Sequence, residues 1–145
     1  MFDGPLLGSL LPRLEQCTAF ALEHASYRPQ LGLHATVRRE GDGQLVVCEV
    51  FNHGKVGTHL TEHGRSLPSD VIRPLGAVFE AGDGWAVSGE VAVQLPHLAA
   101  RTGRASAEWL LRPADGGGGG GTRMLGEIAL DGGAGGELRL AVAAE

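Results

Sequence analysis

LHATVRREGDGQLVVCEVF, running from Leu33 to Phe51, alternates apolar and polar residues on both sides of a Gly41-Asp42-Gly43 turn. Period-two alternation flanking a glycine-rich turn is the pattern of a β-hairpin. Folding about the whole Gly-Asp-Gly turn is expected to set Leu33, Ala35 and Val37 on one face with Leu45, Val47 and Phe51, the better core candidates. His34, Thr36 and Arg38 then share the other face with Val46, Cys48 and Val50.

The same chemistry recurs downstream. Gly82-Asp83-Gly84 separates Ala77–Ala81 from Trp85–Leu95, where Trp85, Val87, Val91, Val93 and Leu95 alternate with Ala86, Ser88, Glu90, Ala92 and Gln94, as a half-buried strand requires. Three more strands are expected over Ala105–Arg112, Arg123–Leu130 and Glu137–Val142, the last two joined by a glycine-rich connection. Short helical turns fit Ser69–Arg73 and Leu98–Gly103. The tract Gly116–Gly121 holds only glycine, costs too much entropy to order, and is expected to form a flexible loop.

Upstream, helical spacing takes over. From Ser9, the residues Leu10, Leu14, Cys17 and Ala21 recur on one side, with Arg13, Glu15, Gln16 and Glu23 on the other. Ser9 serves as N-cap, Pro12 is tolerated in the first turn, and Tyr27-Arg28-Pro29 ends the pattern. The fold class is therefore α+β: an N-terminal amphipathic helix, about residues 9–27, packed on a mainly antiparallel meander sheet of five to seven strands over about residues 33–143. One domain spans residues 1–145. Whether the sheet closes into a barrel is left open.

Composition narrows the function classes. The 145 residues are 43% hydrophobic and 20% charged, close to globular averages. The formal charge of -5 is spread along the chain, and Arg38-Arg39 is the one adjacent basic pair, which disfavours nucleic acid as a partner. The apolar N-terminal stretch between Pro5 and Pro12 is too short for a bilayer span and has no basic residue before it, so neither a membrane nor a signal peptide is expected. Cys17 and Cys48 lack metal spacing and read as free thiols in a reducing, cytoplasmic compartment.

The densest chemistry lies between Asn52 and His63. His53, His59 and His63 fall within it, and His59-Leu60-Thr61-Glu62-His63 matches H-x-x-E-H, in which a helix places two imidazoles on one zinc and a Glu activates water. Gly57 and Gly64 bound the motif, and Thr58 and Thr61 favour extended backbone, where residues four apart stand about 13 Å from each other, too far to share an ion. A solvated polar loop is the preferred reading, with His53, Lys55, His59 and His63 as partner- or ligand-contact candidates and no metal or other cofactor. Gly64-Arg65-Ser66-Leu67-Pro68 starts like a nucleophile elbow but lacks its closing glycine. The glycine tract satisfies G-x-G-x-x-G without the following helix that phosphate binding needs.

Catalytic residues are thus not identifiable. The favoured function is a small non-enzymatic binding, assembly or chaperone-like protein that meets a protein partner through a sheet face or edge, with a homodimer also expected. Two alternatives stand beside it: a metal-dependent hydrolase built on His59, Glu62 and His63, and a small-molecule carrier or enzyme with Trp85 and Trp109 lining a pocket in a curved sheet.

Overall fold

A computed structural model describes residues 12–19, 28–59, 75–114 and 123–144. Its strands, among those residues, are β1 (Leu31–Glu40), β2 (Gly43–Asn52), β3 (Leu75–Ala81), β4 (Trp85–Ser88), β5 (Ala92–Leu95), β6 (Arg104–Pro113), β7 (Met124–Asp131) and β8 (Glu137–Ala143). They form two four-stranded antiparallel sheets, ordered β1-β2-β6-β4 and β5-β3-β7-β8. The architecture is a sandwich, not the single meander expected: β6 leaves the second sheet behind and returns to lie between β2 and β4.

The first hairpin closes one residue tighter than the sequence reading assumed. Glu40 faces Gly43 across a connection of Gly41 and Asp42 alone, with Gly41 at φ 62, a positive value that glycine adopts without strain. Because side chains alternate with period two, that one-residue difference reverses which residues of β2 share a face with β1. Leu33, Ala35 and Val37 stand opposite Val50, Cys48 and Val46, and these three β2 residues are fully buried, whereas Val47 and Phe51 are only half-buried on the opposite face.

The second sheet supplies the other half of the core. Leu75, Ala77 and Phe79 of β3, Leu125, Ile128 and Leu130 of β7 and Val142 of β8 are buried against Val46, Val50, Ala107, Trp109 and Leu111 of the first sheet. The rings of Phe79 and Trp109 lie 5.6 Å apart across this interior. Both tryptophans fall on the core side, as their places in the alternation implied, with Trp109 buried and Trp85 half-buried at the sheet margin.

The expected strand Trp85–Leu95 is two strands in different sheets. Gly89, at φ 111, makes the corner between β4 and β5, the way sandwich strands switch layers. Val91 beyond it is exposed, although the alternation assigned it to the core.

Of the expected helix 9–27, residues 12–19 are helical and the remainder lies outside the described residues. Every described residue of this helix, α1, is exposed, including Leu14 at 52% and Cys17. Leu14 and Cys17, the described residues of its stripe, are not packed on the sheet as anticipated. The physical reason is that the two sheets already bury each other's apolar faces, so no helix is needed to cover them. Ser69–Arg73 and Gly116–Gly121 lie outside the described residues. Leu98–Gly103 is a turn, with Gly103 N–H donating to Ala99 O at 3.1 Å and Arg101 at φ 65.

Candidate functional site

The sequence candidates cluster where β2 ends. Asn52, fully buried, closes the strand and holds the segment that follows it. Its amide nitrogen donates to the carbonyls of Val56 at 2.8 Å and Ala99 at 3.3 Å, while its oxygen accepts from the N–H groups of Gly54 at 2.9 Å and Gln30 at 3.1 Å. A carboxamide with both donors and both acceptor positions in use is the residue type that can tie three chain segments at one buried point. Arg101 N–H to Gly54 O at 2.8 Å and His53 N–H to Gln30 O at 3.0 Å complete the tie.

From this anchor the candidates diverge. His53 is exposed, its ring 6.0 Å from that of Phe51, and Lys55 is exposed as well. His59 turns inward, 6% exposed, with its ring 6.0 Å from His97 in an edge-on arrangement. Thr58 clasps the same region: its N–H donates to Leu98 O at 2.9 Å, its hydroxyl oxygen accepts from Leu98 N–H at 2.8 Å, and that oxygen lies 3.2 Å from Nδ1 of His97. Burial, with His59 adding in the same direction, holds the His97 imidazole below its ordinary pKa of 6.5.

His97 therefore belongs with His59, a pairing that sequence spacing does not announce because 38 positions separate the two. Glu62, His63 and the Gly64–Pro68 segment lie outside the described residues. Among the described residues, no group of three or more His, Cys, Asp or Glu side chains is placed to hold a metal. Cys48 and His34 point to opposite faces of the first sheet, since Cys48 pairs with Ala35, so no thiol–imidazole partnership exists there. Burial, reinforced by the nearby Glu49 carboxylate, pushes the Cys48 thiol up to about 11 and keeps it a neutral packing residue.

A second surface emerges only from the topology. The outer face of the second sheet is floored by Gly76 and Val78 of β3, Ala129 of β7, Ala92 of β5 and Ala141 of β8, brought side by side by the strand registers. Shallow hollows of about 360, 400 and 310 Å³ open on this face, the first two sharing Gly76, Val78 and Asp131. Arg139 stands above it, with Glu127 at 2.6 Å, Glu137 at 3.4 Å and Glu80 at 3.6 Å around its guanidinium. Three carboxylates around one guanidinium leave this face acidic. Sequence reading missed it because its residues come from four strands and carry no motif.

No protein-family model matches this chain, and no curated protein resembles it at a significant level. Among the described residues, no helix is long and apolar enough to cross a membrane.

Proposed function

We propose that this chain is a non-enzymatic binding or assembly protein that receives a protein partner on the outer face of its second sheet. The observation that carries the reading is the run of small side chains across that face, from Ala92 through Val78 and Ala129, with shallow hollows opening on the floor they form. Small residues on a sheet surface let another backbone approach closely. The excess of carboxylates around Arg139 favours a partner segment that carries positive charge. Free thiols, Cys17 exposed and Cys48 buried, support a reducing, cytoplasmic setting.

The test is site-specific photocrosslinking in the native host. A photoreactive residue at Val78 or Ala129 is expected to trap the same polypeptide, while one at exposed Glu108 on the first sheet does not. Ala129→Gln should abolish the crosslink at Val78 without changing the melting temperature. Trapping distributed equally over both sheets, or none at Val78 and Ala129, rejects the reading.

A further inference from the structure

We propose that β1 is a self-association edge: two copies of this chain pair antiparallel along β1, centred on Ala35, and continue the first sheet across the dimer. The proposal stands apart from partner binding on the second sheet.

The geometry starts from one hydrogen bond. His53 N–H donates to Gln30 O at 3.0 Å, in the same register that sets Leu31 opposite Asn52. Hydrogen-bonded and non-hydrogen-bonded pairs alternate along an antiparallel ladder, so the even-numbered residues of β1 direct their N–H and C=O groups to β2. Leu33, Ala35, Val37 and Arg39 direct theirs outward. Among the described residues β1 pairs with β2 alone, and β1 is ten residues long. β1 also comes near β8, and at its beginning Leu31 packs over Gly132 and Gly135 of the turn that precedes β8. The core-facing side chains of Leu33, Ala35 and Val37 are only half-buried, although their β2 partners are fully buried.

A second copy fits this edge in a specific register. Two-fold pairing that keeps both core faces on the same side requires odd residues to face odd ones. Centred on Ala35, it sets Leu33 against Val37 of the other copy, Ala35 against Ala35, and His34 against Thr36. Outward-directed groups then meet outward-directed groups, giving a regular ladder. Arg38 falls opposite Gly32 and Glu40 opposite Gln30, so no like charges oppose each other. Arg39 falls opposite Leu31 at the end of the ladder. Centring on Arg38 or Arg39 instead places identical cations face to face, and centring on Thr36 breaks the central Leu33–Val37 pairing. The charged residues at the end of β1 therefore disfavour registers centred on them, and the Leu33–Val37 and Ala35–Ala35 pairs favour the one centred on Ala35.

The test combines sedimentation of the full chain with residue-resolved amide exchange. The expected result is a dimer at tens of micromolar protein, with the Leu33, Ala35 and Val37 amides exchanging at least tenfold more slowly than on dilution to monomer. The Thr36 amide, bonded to β2, should stay slow throughout. Ala35→Pro removes an outward donor without touching the β1–β2 ladder and should give a folded monomer. A nitroxide on Thr36→Cys in a Cys17→Ser background supplies an independent readout, with strong dipolar broadening in the dimer. A dimer whose odd-numbered amides exchange fast would overturn the proposal, since it uses another interface. So would a monomer in which those amides are slow, because the chain itself then covers the edge, and so would a monomer at every concentration.

Discussion

The indole nitrogen of Trp109 donates to the carbonyl oxygen of Val91 at 3.1 Å, and the same oxygen accepts the N–H of Phe79 at 2.9 Å. Trp109 belongs to β6 of the first sheet and Phe79 to β3 of the second, so one carbonyl at the β4–β5 corner fastens both layers. Trp109→Phe keeps the aromatic body and loses that donor, and should cost about 1–2 kcal/mol in urea unfolding. Trp109→Ala also empties the interior beside Phe79 and should cost about 3–5 kcal/mol.

Gly89 makes that corner possible. With φ at 111 and open space where a side chain would go, the cost of Gly89→Ala is backbone strain alone. The expected loss is about 1–3 kcal/mol. Thermal melting checks it, and a substitution at exposed Ser88, in β4 next to the corner, should be nearly neutral.

How much was legible in the sequence follows from which forces are local. The strands around Gly41-Asp42 and Gly82-Asp83-Gly84 announce themselves because alternation and turn chemistry act over a few residues. The face of β2 that becomes core does not, because Val46, Cys48 and Val50 are as apolar as Leu45, Val47 and Phe51, and one residue of turn length decides between them. Strand order is less legible still. Whether β6 joins β2 or its sequence neighbour is settled by burial of Ala107, Trp109 and Leu111 against the other layer. His97 and Asn52 illustrate the same limit for the site: each acts on residues about 20 to 50 positions away, and no spacing rule marks such contacts.

Among the described buried polar residues, Asn52 has the most to lose. Asn52→Ala leaves the carbonyls of Val56 and Ala99 and the N–H groups of Gln30 and Gly54 without their side-chain partner. One buried and three part-buried groups left unmet should cost about 2–5 kcal/mol. Asn52→Asp keeps the acceptor and turns a carboxylate toward two carbonyls, so it should destabilise as well. Denaturant midpoints at constant slope measure both.

The two cysteines should differ sharply toward thiol reagents. Cys17 is exposed on α1, whereas Cys48 is buried with its thiol pushed up to about 11. Titration with a chromogenic disulfide at pH 8 should modify one thiol per native chain and the second only on unfolding. Because the folded thiol ionises later than the unfolded one, whose ordinary value is 9.0, stability should fall as pH rises from about 9 to 11. Cys48→Ala should remove that part of the alkaline slope.

Acid should loosen the Thr58 clasp. The Thr58 hydroxyl oxygen already accepts from Leu98 N–H, so its own proton is available to Nδ1 of a neutral His97 ring. His97 has its pKa lowered in the folded chain by burial and by His59, which means that the folded state favours the neutral ring. The stability this represents is present above the ordinary value of 6.5 and is lost as pH falls through the lower, folded value. Melting temperature should therefore drop between pH 7.5 and 5 more steeply in the native chain than in His97→Gln. The Thr58 and Leu98 amides, which bond across the clasp, should gain exchange rate over the same interval. Parallel slopes in the two proteins would mean that His97 titrates without coupling to the fold, and that the clasp rests on Thr58 and Leu98 alone.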